Sequence, residues 1–211
     1  MKNTSKIKVF HAQDWKEYSR WLDNIEYVDT IKEADLVLFE GGSDVSPKVY
    51  GQPKHKTTYC DEPRDAQEKE MYLEAKERNL PCLGICRGSQ FLTAMQPKGM
   101  LVQNQPNPAG SHNMETFDGK LLRVTSTHHQ AMYPFNMDKE DYKILGWTTN
   151  MLDFHQGGNN EELNPEKECE MVYYPKTRCL GIQSHPEMMP FEHLTNVWMR
   201  DIYDKFMNQT L

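Results

Sequence analysis

The chain has 211 residues, 26% of them charged, and a formal net charge of −7. This length is enough to bury a substantial core, and it favours one domain, residues 1–211, over two. The acidic balance, with no block of lysine and arginine, excludes a nucleic-acid or anionic-membrane binder and leaves a small molecule or a partner protein as the ligand.

The N-terminus and the cysteine content predict a cytoplasmic protein. The start MKNTSKIKVF has no apolar run behind its basic residues, and no segment approaches the roughly 20 apolar residues of a membrane span. The cysteines are odd in number and contain no C-x-x-C pair, which argues against a disulfide framework and a thiolate zinc site. We therefore expect reduced thiols at Cys60, Cys82, Cys86, Cys169 and Cys179.

The first half of the chain alternates strand-like and helix-like segments. The apolar runs KIKVF (6–10) and ADLVLFE (34–40) predict strands, and DAQEKEMYLEAKERNL (65–80) is rich in strong helix formers. PCLGIC (81–86) predicts another buried strand, and GSQFLTAM (88–95) predicts a helix directly after it. This β, α, β, α order indicates a parallel sheet covered by helices.

The second half of the chain is richer in strands joined by loops. Four segments, 120–127, 142–149, 169–175 and 179–185, predict strands with some antiparallel pairing. The two halves together predict an α/β fold: an open, mostly parallel sheet flanked by helices, with some antiparallel strands in the C-terminal half.

The chain ends in a predicted helix over residues 190–209, and two long loops come before it. The apolar residues at helical spacing, which we expect to pack on the sheet, are Leu194, Val197, Trp198, Ile202 and Phe206. Segments 104–119 and 153–168 are longer than usual connections and full of turn formers. They are either binding loops or surface insertions.

A cysteine stands where a strand is predicted to turn into a helix. The motif G-x-C-x-G, formed by Gly84, Cys86 and Gly88, is typical of a nucleophile elbow, which holds its central residue in a strained conformation with the side chain available for reaction. The helix that follows offers unpaired N–H groups and a positive dipole end, which favours an anionic sulfur. Free cysteines are usually buried core residues, and that interpretation fits Cys82 and Cys179.

A candidate base and a candidate orienting group follow the last predicted strand. In SHPE (184–187), Pro186 stiffens the chain between His185 and Glu187, so that the carboxylate can hold one ring nitrogen while the other faces Cys86. A lone His-x-Glu is most often a surface ion pair. After a strand, in a chain with a cysteine elbow, it predicts a catalytic triad.

Paired glycines after the strand at 34–40 are a candidate for the oxyanion hole. Gly41 and Gly42 expose backbone N–H groups, and an oxyanion hole needs two such donors aimed at one oxygen. An ordinary turn is the alternative for this pair alone. Together with the elbow, the pair indicates one donor here and the other at the N–H of Arg87.

Taken together, these motifs resemble the class I glutamine amidotransferase superfamily, which has a flavodoxin-like fold. The chain is most similar to free-standing γ-glutamyl hydrolases of the γ-glutamyl-γ-aminobutyrate hydrolase type, a peptidase C26-like branch. The segments that carry this resemblance are GGSDVSPKVYG (41–51), RDAQEKEMYLEA (64–75), PCLGICRGSQFL (81–92), STHHQ (126–130) and LGIQSHPEMM (180–189).

The resemblance implies roles for individual residues. It makes Cys86, His185 and Glu187 the catalytic triad, and the N–H groups of Gly42 and Arg87 the oxyanion hole. The residues that match positions lining the γ-glutamyl pocket are Gln90, Ser126, His128, His129 and Gln130. Without the resemblance, the pair at 128–129 would be interpreted as solvated and not as a metal site, because no third ligand accompanies it at a sensible spacing.

Two positions depart from the family pattern. Lys98, in PKGMLVQN (97–104), replaces one of two glycines, and Glu40 replaces the proline usual before Gly41 and Gly42. These changes keep the catalytic residues but alter the leaving-group side of the predicted pocket.

Three functions fit the sequence, and none of them calls for a metal or an organic cofactor. The first is a self-contained hydrolase that cleaves a small-molecule γ-glutamyl amide through a glutamyl thioester. The second is a glutaminase subunit that supplies ammonia to a separate synthase partner. The third is a catalytically silent binding protein on the same fold, which would be expected to lack a triad member.

Overall fold

A mixed sheet of eleven strands runs through residues 5–106 and 110–211, the part of the chain that the computed structural model describes. In chain order the strands are β1 (Ile7–His11), β2 (Ile25–Tyr27), β3 (Leu36–Phe39), β4 (Cys82–Ile85), β5 (Met100–Val102), β6 (Gly110–Thr116), β7 (Leu121–Ser126), β8 (Ala131–Tyr133), β9 (Lys143–Thr148), β10 (Cys169–Tyr174) and β11 (Cys179–Ile182). The helices are α1 (Glu62–Glu77), α2 (Arg87–Ala94) and α3 (Leu194–Met207). No helix in this part of the chain is long and apolar enough to cross a membrane.

The strand order is β2-β1-β3-β4-β11-β10-β9-β6-β7, with β8 pairing to β10 and β5 beside that path. Pairing is parallel from β2 to β11 and antiparallel between the other named strands. The predicted α/β fold, with its antiparallel C-terminal half, is confirmed. The antiparallel share is larger than predicted, because four of these pairings are parallel and six are antiparallel.

Helices cover both faces of the parallel strands. Side chains alternate along β3, so that Leu36 and Leu38 join a core cluster with Ile202 of α3, while Phe39 joins a second cluster with Phe91 of α2. Each fully buried Leu, Ile or Phe contributes roughly 1.5–3 kcal/mol through burial alone. The two clusters therefore fix β4 between two helical layers.

Helix α1 begins three residues before its predicted start. The side chain of Asp61 caps it by accepting a hydrogen bond of 3.1 Å from the backbone N–H of Arg64, and Pro63 lies in its first turn. An aspartate cap and an early proline are both favourable at a helix N-terminus. The cap sets α1 so that Arg64, Asp65 and Glu68 are buried.

Several elements differ from the sequence predictions. Between β1 and β3, where the sequence analysis predicted no element, the structure has 3₁₀ turns and the short strand β2. The predicted loop 104–119 contains β6, and its residues 107–109 lie outside the described part. The polar sequence of β6 hides its strand character, which comes from pairing with both β7 and β9.

The predicted apolar face of the C-terminal helix is only partly buried. Trp198, Ile202 and Phe206 pack in the core, whereas Leu194 is 76% exposed and Val197 is 46% exposed. The prediction for these last two residues was wrong: both lie in the first turn of α3, which begins at Leu194, and that turn leaves them largely exposed. Segment 153–168, in contrast, has only a 3₁₀ turn at Gly158–Asn160 and isolated bridges.

Candidate active site

Cys86 lies at the junction of β4 and α2 with φ 50° and ψ −110°. A positive φ is costly for a residue with a side chain, and the surrounding bonds hold it in place. The N–H of Cys86 donates to the carbonyl of Ile182 at 2.7 Å, and its carbonyl accepts from the N–H of Ser89 at 3.0 Å. The strand-to-helix bend predicted for an elbow is therefore present, and Cys86 is 7% exposed.

The two elbow glycines are needed because backbones meet there. A methyl group on Gly84 would lie 2.5 Å from the backbone of Gly88, and one on Gly88 would overlap the carbonyl oxygen of Phe39. Any larger residue would push α2 away from β3 and β4. This is the close approach of strand and helix that the motif predicts.

His185 and Glu187 come together directly after β11. The Nδ1 atom of His185 lies 2.6 Å from Oε1 of Glu187, and both side chains are almost fully buried. Burial by itself lowers the pKa of His185, but the interactions with Cys86 and Glu187 outweigh it and raise the pKa to about 10. The imidazole therefore holds a proton at neutral pH, between the sulfur and the carboxylate.

A cavity of about 220 Å³ opens beside the sulfur of Cys86. Of the residues predicted for substrate and oxyanion binding, those that line it are Gly42, Gln90, His128, His129 and Gln130. Ser126 is fully buried in β7 and is not among the lining residues. Gly42 has φ 140°, and a side chain there would overlap the guanidinium of Arg64, so glycine is required at this position.

Hydrogen bonds among the lining residues fix part of the cavity wall. The carbonyl of Gln130 accepts from Nε2 of Gln90 and from Nδ1 of His128, both at 2.9 Å. At the cavity mouth, Nε2 of His129 lies 3.3 Å from a carboxylate oxygen of Asp44, and this contact raises the pKa of His129. The mouth therefore pairs a carboxylate with an imidazole that it helps to protonate.

Two of the residues near the sulfur were not predicted. Asp44 lines the cavity, and Nε2 of Gln183 lies 3.9 Å from the sulfur of Cys86. Their position in the sequence was the available signal: Asp44 follows the paired glycines, and Gln183 directly follows β11. Polar residues at the carboxyl ends of parallel strands are typical of ligand sites in α/β folds.

A buried network of charges connects the two candidate oxyanion donors. The guanidinium of Arg87 forms ion pairs with Asp65 and Glu68. Arg64 pairs with Glu68 at 2.7 Å and donates to the backbone carbonyl of Glu40 at 3.0 Å, immediately before the paired glycines. Since Glu68 binds both arginines, it ties the elbow to the glycine loop.

The replacement of the usual proline by Glu40 has a structural reason. Its carboxylate accepts hydrogen bonds from the backbone N–H groups of Gln13 and Trp15, and it also contacts Nδ1 of His11. These contacts hold the end of β3 against the segment after β1. The glycine loop is thus anchored by a side chain that a proline could not provide.

The backbone around His185 is also anchored from outside the triad. Oγ1 of Thr125 accepts from the N–H of His185 at 2.9 Å and lies 3.2 Å from its carbonyl oxygen. Nδ2 of Asn196 donates to the carbonyls of Pro186 and Pro190 at 3.0 and 3.1 Å. These contacts come from β7 and α3, so local sequence patterns could not predict that the two elements position the loop around His185.

The site offers no metal-binding set in the residues described. Within 5–106 and 110–211, no group of three or more His, Cys, Asp and Glu side chains is arranged to hold a metal ion. Cys86, His185 and Glu187 offer nucleophilic attack by sulfur with acid and base help from an imidazole.

Comparison with known proteins gives matches over most of the chain. Residues 20–187 match the model of the Peptidase C26 family. Protein NtpR of Enterococcus hirae is 27% identical over 207 residues, covering 87% of this chain and 77% of its own. The glutamine amidotransferase-like protein YvdE of Lactococcus lactis is 27% identical over 183 residues, covering 84% and 75%.

A solved structure shares the fold. The structure of PurLQS from Thermotoga maritima contains a chain that superimposes with a TM-score of 0.64 and 14% identity, covering 98% of this chain and all of that one. At this identity the likeness concerns the fold alone.

Proposed function

The chain belongs to the peptidase C26 family, and from this we propose that it hydrolyses a γ-glutamyl amide through a glutamyl-thioester intermediate. The observation that carries the proposal is the placing of Cys86, on a strained elbow, beside His185: their interaction helps to raise the pKa of His185, and Glu187 holds the ring through Nδ1 at 2.6 Å. The same three residues were predicted as a triad from the sequence. A silent binding protein has no need for this arrangement.

In the first step, the sulfur of Cys86 attacks the δ-carbonyl carbon of the γ-glutamyl group. The N–H groups of Gly42 and Arg87 stabilise the negative charge on the carbonyl oxygen. His185 gives its proton to the departing nitrogen, the C–N bond breaks, and the amine or ammonia leaves. The products of this step are a glutamyl thioester on Cys86 and a neutral imidazole.

In the second step, a water molecule attacks the thioester. His185 takes a proton from the water, and the C–S bond breaks as the tetrahedral intermediate collapses. Glutamate leaves, and the thiolate and imidazolium are restored. Glu187 keeps the ring aligned in both steps and stabilises its charged form.

The substrate-binding proposal concerns the cavity wall. We assign the γ-glutamyl group to the cavity lined by Gln90, His128, His129 and Gln130. A γ-glutamyl group carries an α-carboxylate and an α-ammonium group. His129 and Asp44, 3.3 Å apart at the mouth, offer a matching pair of charges.

The relative YvdE supports a second candidate, because its name places it with glutamine amidotransferase-like proteins. On that model the chain would release ammonia from glutamine for a separate synthase. Such a subunit is typically restrained until the synthase binds, whereas a self-contained hydrolase is active alone.

One assay of the purified chain distinguishes the two candidates. Glutamate release is measured from glutamine and from a panel of γ-glutamyl amines and peptides. The hydrolase model expects at least one conjugate to exceed glutamine tenfold in kcat/KM, or about 1.4 kcal/mol of additional transition-state binding. If every conjugate is inert and glutamine is cleaved only with an added partner protein, the amidotransferase model replaces it.

A further inference from the structure

A second, more enclosed cavity of about 130 Å³ lies beyond His128. His128 lines both this cavity and the one beside Cys86. The polar side chains around the second cavity include Gln105, His112, Glu168 and Glu170. A volume of this size holds about four groups the size of a water molecule. We call it the His128 cavity.

Three of the side chains that line the His128 cavity each carry a hydrogen-bond acceptor without a partner in the described residues. These atoms belong to side chains that are 94% or more buried: Oε1 of Gln105, Oε2 of Glu170 and Nε2 of His128. An unsatisfied buried polar group costs about 1–3 kcal/mol each. Three of them around one cavity therefore indicate a site that a ligand completes.

The tautomer of His128 follows from its other nitrogen. Nδ1 lies 2.9 Å from the carbonyl of Gln130, which can only accept, so Nδ1 carries the hydrogen. Burial lowers the pKa of His128, which keeps the ring neutral. Its Nε2 is therefore a lone-pair acceptor.

The carboxylates give the cavity its preference for charge. Oε1 of Glu170 lies 2.8 Å from Nε2 of His112, and Oε1 of Glu168 lies 2.8 Å from Nε2 of His155. Of these two carboxylates, Glu170 is the one with a buried oxygen, Oε2, that has no partner in the described residues. A fourth unpartnered atom is Nδ1 of His112. Burial lowers the pKa of His112, but the contact with Glu170 outweighs it and raises the pKa, and in the protonated ring Nδ1 is a donor.

We propose that the His128 cavity is a subsite for a primary ammonium group. An R–NH₃⁺ group brings three N–H donors for the three acceptors and a positive charge for the Glu170 carboxylate. A water molecule brings only two donors and no charge. This inference rests on the proposed function, because an amine is then the group released next door at Cys86.

The α-ammonium group of the γ-glutamyl part is assigned above to the mouth beside Asp44, which leaves two sources for the ammonium group in this cavity. It is the distal ammonium of a γ-glutamyl diamine, held while its other nitrogen is cleaved, or it is a free short amine after release. The chemistry at Gln105, His128 and Glu170 is the same in both cases. A kinetic measurement and a binding measurement separate them.

The kinetic measurement compares two substrates that differ in one group. γ-Glutamyl-1,3-diaminopropane ends in an ammonium where γ-glutamyl-butylamine ends in a methyl group. If the ammonium belongs to the substrate, kcat/KM for the diamine conjugate is at least tenfold higher, and Glu170→Gln reduces the ratio to near one. Glu166→Gln, which removes an exposed carboxylate paired with Lys139, is the matched control and leaves the ratio unchanged.

The binding measurement titrates propylammonium and its neutral counterpart n-propanol into the purified chain by calorimetry. We expect propylammonium alone to bind, at least tenfold more weakly after Glu170→Gln. Gln105→Met is the second variant, used if Glu170→Gln fails a circular-dichroism check of folding. Binding without a kinetic preference assigns the subsite to the released amine.

Equal kcat/KM for the two conjugates together with no propylammonium binding would overturn the inference and leave a water-filled polar cavity. The proposed function fails differently. In that case neither glutamine nor any conjugate is hydrolysed, while the binding of propylammonium is measured independently of turnover.

Discussion

The buried polar groups on the two sides of Cys86 are satisfied to different degrees. On the elbow side, Arg87, Glu68 and Arg64 form a continuous set of ion pairs. On the side of the His128 cavity, Gln105 and Glu170 each keep an oxygen with no partner in the described residues. Both sides are equally buried, so exposure does not explain the difference.

The difference separates positioning from binding. In the elbow-side network only Nε of Arg87 lacks a partner among the described residues, and the paired carboxylates and guanidinium groups hold the oxyanion donors in one geometry before substrate arrives. An unpaired acceptor destabilises the free protein and is retained where a ligand restores the lost bonds. On this basis the elbow side is the rigid part of the site, and the cavity side is the part that selects the ligand.

The largest effect is expected from a substitution that removes the nucleophile, Cys86, which lies between the two sides. Cys86→Ala should lower glutamate release by about 10⁴-fold or more, because no neighbouring group can form the thioester. The fold should remain, since the bend depends on Gly84 and Gly88. Steady-state rates and circular dichroism measure the two properties.

Cys60→Ser is the matched control for the loss of a thiol. Cys60 is a half-buried free cysteine outside the cavity beside Cys86. Residual turnover in Cys86→Ala close to that of Cys60→Ser would refute the nucleophile assignment.

Removing the orienting carboxylate should have the next largest effect on rate. Glu187→Gln should lower kcat by roughly ten- to a thousandfold, since both reacting groups remain. It should also change the pH profile. Glu187 helps to raise the pKa of His185 to about 10, so the protonated imidazole is lost as the pH rises through that value. In Glu187→Gln the pKa of His185 should be lower, and the proton should be lost at a lower pH.

This shift is measured from the pH dependence of kcat/KM between about pH 6 and pH 11, a range that brackets the His185 pKa of about 10. Glu192→Gln changes an exposed carboxylate nearby and should match the unsubstituted protein. An unchanged alkaline limb in Glu187→Gln would mean that another group orients His185.

Breaking the paired network tests the elbow side. Glu68→Gln leaves Arg87 and Arg64 facing a neutral amide in a buried place, and should lower the free energy of unfolding by about 3 kcal/mol. Turnover should fall with it, as the two oxyanion donors lose their common anchor. Urea unfolding and kcat at fixed substrate measure the two effects.

The same helix offers a matched control. Glu74→Gln breaks the exposed pair with Arg78 at 3.0 Å, which is worth about 0.5 kcal/mol or less. If Glu68→Gln costs no more than Glu74→Gln, the network is not what holds the elbow.

The elbow side was also the more predictable side. Gly84, Cys86 and Gly88 are adjacent in sequence, and backbone sterics dictate their spacing, so the motif could be identified without contacts. His185 and Glu187 lie two residues apart after an apolar strand, which again is a local pattern. Much of the α/β fold followed from similar local patterns of apolar strands and helix formers.

The cavity side could not be predicted, because long-range pairing creates it. His112 lies on β6, in a segment interpreted as a loop, and reaches Glu170 of β10 only through the sheet order. Glu40 and Thr125 were missed as anchors for the same reason: their partners are 25 to 60 residues away. Periodicity indicates which face is buried, and not which buried polar groups meet.

The smallest expected effect has the opposite sign and tests the cavity side. Gln105 is 96% buried with Oε1 unpartnered in the described residues. Gln105→Leu should raise the free energy of unfolding by about 1 kcal/mol, because it removes an unsatisfied acceptor and adds apolar burial. Two residues away, Gln103 is equally buried, but it accepts from the N–H of His55 at 2.8 Å and donates to the carbonyl of Pro53 at 2.9 Å. Gln103→Leu should therefore lower the free energy of unfolding by about 2 kcal/mol, since it leaves both of these backbone partners without a hydrogen bond. Urea denaturation of the two variants side by side gives the comparison, and a Gln105→Leu variant as destabilised as Gln103→Leu would show that the cavity side is satisfied after all.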